Sequence, residues 1–212
     1  MGDRGLLLEF GDEISAEVNE QVRRMALALQ AETLEGILEV IPTYRSLLVL
    51  YNPLIIPLED LKSKLKQVEE GLKEISFSDP TLTKIPVLYG EEFGPDLRKV
   101  AEYLHLTPED VIRLHCSKPY VIYMIGFMPG FPYMGELPEE LVTPRLKTPR
   151  LSVPAGSVAI AQRQTGIYSM ESPGGWQILG RTPLKLFDPE KEPPVLLQMG
   201  NLVQFYPISE EE

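Results

Sequence analysis

Basic side chains that could bind an anion are concentrated between residues 141 and 189 of this 212-residue chain. Six Lys or Arg residues stand there against two carboxylates, although the whole chain has a formal net charge of −11. Three of them, Arg145, Lys147 and Arg150, fall within six residues of a proline-stiffened segment. The planar guanidinium group of Arg suits a carboxylate or a phosphate. These residues alone fit a ligand-binding role and a solvated surface equally well.

Neutral hydrogen-bonding groups lie in the same part of the chain. Residues 162–166 (QRQTG) and 172–176 (SPGGW) place amides and hydroxyls beside glycines. Amide, hydroxyl and guanidinium groups without an adjacent acid–base pair suit the binding of a polar amide or an oxyanion. Glu171 is the sole carboxylate at the centre of this stretch, which disfavours hydrolysis by paired carboxylates. The serines lack a GxSxG context, so no Ser/His/Asp triad is indicated.

A third motif, residues 126–135 (GFMPGFPYMG), alternates aromatic, proline and glycine residues. Its glycines allow a ligand to approach the backbone closely, and Phe127, Phe131 and Tyr133 could wall a pocket. A rigid surface loop that packs these aromatics on a β-barrel fits the motif equally well. Trp176 suits an anchor in the barrel core better than a stacking platform. The motif is neither GxGxxG nor a Walker A loop, so the chain has no recognised ATP motif.

Composition argues against several other classes of protein. The acidic balance disfavours nucleic-acid binding, which needs an extended basic surface. Two His residues and one Cys cannot form a His/Cys zinc site, and we expect no metal site. The single Cys116 suits a reducing compartment and a buried structural thiol. We find neither a secretory signal nor an apolar run long enough to cross a bilayer, and we therefore expect a cytoplasmic protein with no membrane partner.

The first part of the chain, residues 1–82, is predicted to form a small α+β domain. Apolar residues recur at steps of three and four between residues 14 and 29 and between residues 58 and 72, which predicts two helices. Apolar runs predict strands at residues 6–10, 36–41, 46–51 and 74–77. The resulting order is β-α-β-β-α-β, which is typical of ferredoxin-like domains.

The remainder, residues 83–212, is predicted to be mainly β, after a polar linker near residues 79–83. Two short helices are expected near its start, at residues 95–104 and 107–114. The second opens with Thr107-Pro, an N-cap hydroxyl followed by proline at the first helical position. Short strands are expected at residues 85–89, 120–124, 157–161, 165–168, 177–179, 195–199 and 202–206. Strands this short and numerous favour a closed or nearly closed barrel.

Taken together, the motifs resemble the family of 5-oxoprolinase B subunits, also called KipI-like or allophanate hydrolase subunit 1. The segments that carry the resemblance are residues 126–133 (GFMPGFPY), 148–150 (TPR), 153–158 (VPAGSV), 164–168 (QTGIY), 172–176 (SPGGW) and 180–183 (GRTP). Residues 2–4 (GDR), 10–12 (FGD) and 91–97 (EEFGPDL) match as well, so the resemblance covers essentially the whole chain. The chain departs from the family pattern at Gln162, where members typically have Gly, and at Ser169, where they often have Pro.

The resemblance implies a cyclophilin-like β-barrel that follows the small α+β domain. It also implies a non-autonomous component of an ATP-dependent 5-oxoprolinase, which opens 5-oxo-L-proline to L-glutamate with the A and C subunits as partners. ATP would be a co-substrate of that complex, and we expect this chain to be inactive alone. Two alternatives stay open: a KipI-like protein that inhibits a sensor histidine kinase, and a component of an allophanate or urea amidolyase-type carboxyltransferase.

Roles for individual residues follow from the resemblance and from side-chain chemistry. Arg145, Arg150 and Arg181 are predicted to hold a carboxylate or phosphate, and Gln164 and Thr165, followed by Gly166, to bind the amide. The residues predicted to shape the pocket are Phe127, Pro129, Gly130, Phe131, Pro154, Gly156, Gly174, Gly175 and Trp176. No catalytic residue is assigned.

Overall fold

The structure, a computed structural model, describes residues 3–32, 34–72 and 79–209. The chain forms two compact units, Met1–Asp79 and Pro80–Glu212. Among the described residues, no helix is both long and apolar enough to cross a membrane.

The first unit contains three strands and two helices. Its elements are β1 (Gly5–Glu9), α1 (Ala16–Glu32), β2 (Ile37–Pro42), β3 (Ser46–Tyr51) and α2 (Leu58–Gly71). The strands pair antiparallel in the order β1-β3-β2. Both helices bury the apolar face that their periodicity predicts, for example Val22 and Leu29 on α1 and Leu61 and Leu65 on α2. The fourth strand predicted at residues 74–77 lies outside the described residues, so the ferredoxin-like arrangement stays a prediction.

The second unit is a closed barrel of seven strands, which confirms the predicted mainly β fold. In spatial order the strands are β11-β4-β12-β5-β6-β9-β8, and β8 pairs with β11 to close the barrel. The barrel strands are β4 (Leu82–Tyr89), β5 (Tyr120–Ile125), β6 (Pro132–Gly135), β8 (Ser157–Ala161), β9 (Gln164–Ile167), β11 (Gln177–Arg181) and β12 (Leu202–Pro207). A separate two-stranded ribbon joins β7 (Arg150–Val153) to β10 (Ser172–Gly174).

One strand pair of the barrel is parallel. β12 runs alongside β4 with Leu202 opposite Leu82, whereas the other neighbouring pairs are antiparallel. Antiparallel neighbours can be joined by tight turns, but a parallel pair requires a long crossover connection. Here the crossover is the whole stretch between β4 and β12. The barrel therefore closes by joining its first strand to its last.

The strand predicted at residues 195–199 is wrong. Only Val195 pairs there, in an isolated bridge with Phe187. Two prolines, Pro193 and Pro194, precede the segment, and proline cannot donate to a ladder. The apolar residues are nevertheless used, since Leu197 is buried in the barrel core.

Two short helices follow β4, as predicted. They are α3 (Leu97–Leu104) and α4 (Pro108–His115), and their buried residues join the barrel core. Thr107 caps α4, because its hydroxyl accepts a hydrogen bond from the Asp110 main-chain N–H at 3.1 Å. His115, the last residue of α4, is fully buried.

Candidate functional site

An aromatic pocket of about 230 Å³ opens beside the β7–β10 ribbon. It is lined by Phe127, Phe131, Tyr133, Arg145, Pro149, Tyr168, Pro173, Gly174, Gly175 and Trp176. The rings hold one another edge to face, with the centroid of Phe131 4.7 Å from that of Tyr133 and 5.2 Å from that of Tyr168. Such contacts fix ring positions beyond what burial alone does. The pocket is thus a preformed, largely apolar site that is smaller than the usual pocket for a drug-sized ligand and suits only a compact molecule.

Tyr168 places a hydroxyl in the wall of this pocket. The hydroxyl is hydrogen-bonded to the main-chain N–H of Trp176, and the positive charges of Arg145 and Arg150 lie nearby. These three influences lower the Tyr168 pKa, but burial dominates and raises it above its usual value. The phenol is therefore protonated at neutral pH. Its own O–H has no acceptor among the described residues, so it can donate to a ligand.

Arg145 is the cation of the aromatic pocket. Its guanidinium carbon lies 5.9 Å from the centroid of the Trp176 ring, a cation–π distance. The side chain is exposed, and no carboxylate in the described parts of the chain lies within ion-pair distance of it. An arginine held over a ring and lacking a counterion can bind an anion at the pocket entrance.

Arg150 has a structural partner. It donates from Nη2 to Asp96 Oδ1 at 2.6 Å, and Asp96 Oδ2 accepts from the Ile178 main-chain N–H at 2.7 Å. Asp96 is only 1% exposed, so this pair ties the residue before α3 to β7 and β11. The other terminal nitrogen of Arg150, Nη1, is buried and has no partner in the described structure. One terminal nitrogen of Arg150 is thus bonded to Asp96, and the positive charge of the side chain still lowers the pKa of Tyr168.

Arg181 lies in a second cavity, which we call the basic pocket. This cavity of about 360 Å³ also contains Gly156, Ser169, Thr182 and Lys185. It shares no lining residue with the aromatic pocket. The structure therefore brings Arg145 together with the predicted aromatic residues and with Gly174 and Gly175 in one pocket, and places Arg181 and Gly156 in another.

Thr165 lies in neither pocket. It is fully buried in the barrel, where its hydroxyl donates to the Ala159 carbonyl at 3.2 Å and accepts from His115 Nε2 at 2.9 Å. The other ring nitrogen of His115, Nδ1, then accepts from the Tyr89 hydroxyl at 2.7 Å. Burial lowers the His115 pKa to about 3, so the imidazole is neutral. The sequence pointed to neither Tyr89 nor His115 as partners of Thr165.

The remaining predicted residues line neither pocket. Gln164 begins β9, and Gly166 lies in β9 against the Phe131 ring. The Pro129 carbonyl accepts from the Ser169 hydroxyl at 2.6 Å, and Gly130 lies against Phe187. Pro154 is exposed and opens the turn before β8.

The two departures from the family pattern have different consequences. Gln162 occupies the turn between β8 and β9 with φ of 55°, a left-handed conformation that favours glycine. Ser169 uses its hydroxyl to hold the loop that contains Pro129, a bond that proline could not make. Within the described residues, no group of three or more His, Cys, Asp or Glu side chains could hold a metal ion.

Residues 1–197 match the family described as carboxyltransferase domain, subdomain C and D. Among curated proteins, the chain is 42% identical to the B subunit of 5-oxoprolinase from Bacillus subtilis (strain 168). That alignment covers 100% of this chain and 92% of the relative.

Two solved structures resemble the chain. The crystal structure of TTHA0988 matches with a TM-score of 0.87 and 38% identity over 97% of this chain. This chain spans only 40% of the TTHA0988 chain, so that protein has a large additional part. A conserved uncharacterized protein, PH0987 from Pyrococcus horikoshii, is 46% identical with a TM-score of 0.60, over 100% of this chain and 97% of the other.

Proposed function

We propose that this chain is the B subunit of an ATP-dependent enzyme that opens 5-oxo-L-proline to L-glutamate. The chain belongs to the family of 5-oxoprolinase B subunits, which supports this proposal. The A and C subunits are its proposed partners, and the chain is inactive without them. We place the complex in the cytoplasm. For the fold, we propose that the barrel is cyclophilin-like, that the first unit is ferredoxin-like, and that the domains divide near residue 82.

The observation that carries the proposal is an uncompensated arginine and a buried hydroxyl donor in one small apolar pocket. 5-Oxo-L-proline has a carboxylate and a lactam on a compact, largely apolar ring. Arg145 binds the carboxylate, and the Tyr168 O–H donates to the lactam oxygen. The ring carbons then contact the aromatic wall, which includes Trp176. The carboxylate and the lactam oxygen of the substrate each have a donor in this arrangement.

The chemical difficulty is that a lactam is an unreactive amide. Transfer of the γ-phosphoryl group of ATP to the amide oxygen, with release of ADP, makes the carbonyl carbon a better electrophile. Attack by water then breaks the lactam C–N bond and releases inorganic phosphate, which leaves L-glutamate. The residues of this chain bind and orient the lactam for that step. The partners complete the active site, because no side chain of the aromatic pocket is an obvious base for activating water. ATP is a co-substrate of the complex, and Arg150, whose charge reaches Tyr168 and whose Nη1 has no partner in the described structure, is the candidate of this chain for holding the phosphate that is transferred to the lactam.

The proposal is tested by co-expressing this chain with the A and C subunits and measuring glutamate release from 5-oxo-L-proline. Arg145→Gln is expected to lower kcat/KM at least about tenfold, through loss of a charged hydrogen bond worth roughly 1.5–3 kcal/mol. Tyr168→Phe, which keeps the ring, should lower it by a similar factor. Lys147→Gln removes a neighbouring charge that does not line the pocket and should leave turnover unchanged. Undiminished turnover without this chain would sink the proposal.

A further inference from the structure

The basic pocket contains charge that the proposed lactam site does not use. Arg181 and Lys185 both line it, and no carboxylate does. Within the described residues, Arg181 makes no ion pair. Lys185 lies 3.2 Å from Asp188, but Asp188 also faces Lys191 at 4.0 Å, so this group of three side chains keeps a net positive charge. The cavity is therefore lined by two cationic side chains, Arg181 without a counterion among the described residues and Lys185 beside Asp188.

Arg181 is held in place before any ligand arrives. Its Nε–H donates to the Ala155 carbonyl at 2.9 Å, which leaves the two terminal NH₂ groups free to bind. The next residue, Gly156, has a φ of 83° and forms a turn that holds Ala155 in place. The Gly156 carbonyl accepts from the Thr182 N–H at 2.9 Å. A Cβ on Gly156 would overlap the Thr182 carbonyl oxygen. This packing pre-orients the guanidinium group, which lowers the entropic cost of binding.

Thr182 adds a neutral donor to the same cavity. The side chain is 3% exposed, and its oxygen accepts from the Leu184 N–H at 3.3 Å. Its own O–H has no acceptor among the described residues. A buried hydroxyl proton that lines a cavity beside two cations is best satisfied by an anionic oxygen.

The number and type of donors favour phosphate over carboxylate. A phosphate group carries about −1.5 to −2 charge at pH 7 and three acceptor oxygens, which match two cations and a hydroxyl. The aromatic pocket, by contrast, has one uncompensated cation at its entrance and suits a carboxylate. We propose that the basic pocket is a phosphate-binding site that is separate from the lactam site. Its ligand is inorganic phosphate or the phosphate end of a nucleotide.

The chain path supports two separate sites. Tyr168 lines the aromatic pocket and the next residue, Ser169, lines the basic pocket. The Ser169 hydroxyl donates to the Pro129 carbonyl, and the Tyr168 carbonyl accepts from the Gly156 N–H at 2.6 Å. Two consecutive residues, each held by a hydrogen bond, thus line different cavities. Phosphate and 5-oxo-L-proline are therefore expected to bind at the same time.

The proposal does not depend on the oxoprolinase assignment, because it can be tested on the purified chain without partners. Inorganic phosphate is titrated at constant ionic strength, with chloride as the reference anion, and its dissociation constant is measured by calorimetry. Arg181→Gln and Thr182→Val are expected to weaken binding, by at least tenfold and by severalfold respectively. Arg163→Gln removes an exposed arginine that faces Glu136 and Glu139, and should leave the affinity unchanged. Lys185→Gln serves as a second charge variant if Arg181→Gln fails to fold.

Two further measurements separate the sources of phosphate and test independence. ATP and AMP are titrated against the chain saturated with phosphate. Competition supports a site for the phosphate end of a nucleotide, whereas phosphate binding without competition supports a site for free phosphate. The phosphate affinity in saturating 5-oxo-L-proline should stay within a factor of two. No saturable phosphate binding, equal binding by Arg181→Gln, or displacement of phosphate by 5-oxo-L-proline would overturn the proposal.

Discussion

The position of the Tyr168 hydroxyl requires glycine at residue 174. A Cβ on Gly174 would lie 2.7 Å from Tyr168 Cζ, closer than real Cβ atoms approach. The neighbouring Gly175 also lines the pocket, but a Cβ there would lie 3.6 Å from Pro149, an ordinary contact. Of the two adjacent glycines in the SPGGW motif, only the first is required by the position of the ring.

Gly174→Ala is therefore expected to destabilise the protein by about 1–3 kcal/mol, the usual cost of overpacking a rigid site. It should also lower glutamate formation by the complex, because the Tyr168 hydroxyl must move. Gly175→Ala is the matched control and should change the free energy of unfolding by less than about 0.5 kcal/mol. Urea unfolding and the coupled assay measure the two effects. Equal costs for both variants would contradict the explanation.

Gln162 carries backbone strain that glycine would relieve. A φ of 55° costs a non-glycine residue roughly 1 kcal/mol or more in the folded state. Glycine would remove this cost, but part of the gain is lost because glycine has more conformational freedom in the unfolded chain. Gln162→Gly is expected to stabilise the protein by about 0.5–1 kcal/mol, measured by urea unfolding. Arg163→Gly, at the next turn position without a positive φ, should not stabilise it.

Asp96 connects a helix with two strands. Its two oxygens bind Arg150 of β7 and the Ile178 N–H of β11, while the residue itself precedes α3. These contacts join segments 54 and 82 residues apart in the sequence. Because the carboxylate is buried, the network can hold the β7–β10 ribbon against the barrel.

Asp96→Ala is expected to cost about 3 kcal/mol in the free energy of unfolding, because it leaves a buried N–H and the Arg150 charge without partners. Glu139→Ala removes a carboxylate 3.5 Å from Arg163 in a pair whose side chains are both at least half exposed, and should cost less than about 0.5 kcal/mol. Chemical denaturation of both variants makes the comparison. A loss for Asp96→Ala no larger than that for Glu139→Ala would show that the network is not structural.

Local pattern predicted the helices and most strands, whereas long-range contacts decided the rest. α2 follows directly from apolar residues at steps of three and four. β6 does not, because its four residues, PYMG, begin with proline and end with glycine, as in a loop. Pairing with β5 and β9 makes it a strand. At residues 195–199 the reverse holds, because an apolar run that looks like a strand follows Pro193 and Pro194 and forms only an isolated bridge.

The same limit applies to the candidate site. Composition drew attention to Arg145 and Trp176, which do meet in the aromatic pocket. Thr165 was expected to face a ligand, but a hydroxyl between glutamine and glycine gives no sign that it bonds a histidine 50 residues away. The sequence did not point to the proposed donor role of Tyr168 either, although QTGIY ends on it, because the surroundings of its hydroxyl include Trp176 and two arginines that are distant in the sequence.

His115 links the stability of the second unit to pH. Its pKa is about 3 in the folded protein, because the ring is fully buried, and about 6.5 in the unfolded chain. Between these values the unfolded state binds more protons, so this residue's contribution to stability is complete above pH 6.5 and is lost as pH falls towards 3. The loss approaches about 1.4 kcal/mol per pH unit.

Urea unfolding at pH 7.5, 6.0 and 5.0 should reveal this loss in the wild-type chain. His115→Gln keeps a neutral hydrogen-bonding side chain but does not titrate. Below pH 6 its free energy of unfolding should therefore depend on pH less steeply than that of the wild type, by about 1.4 kcal/mol per pH unit. His105 is the other histidine and is exposed, and His105→Asn should retain the wild-type dependence. Identical slopes for wild type and His115→Gln would mean that His115 is not buried as a neutral ring.

The parallel pairing of β4 with β12 also determines when the barrel can form during synthesis. The Thr81 N–H and the Asn201 side chain, which meet at the start of this pair, are 120 residues apart. At 5–20 residues per second, a ribosome needs roughly 6 to 24 s to make the intervening chain. Throughout that time β4 has an unpaired edge that can associate with other chains. Barrel closure therefore follows translation of nearly the whole second unit.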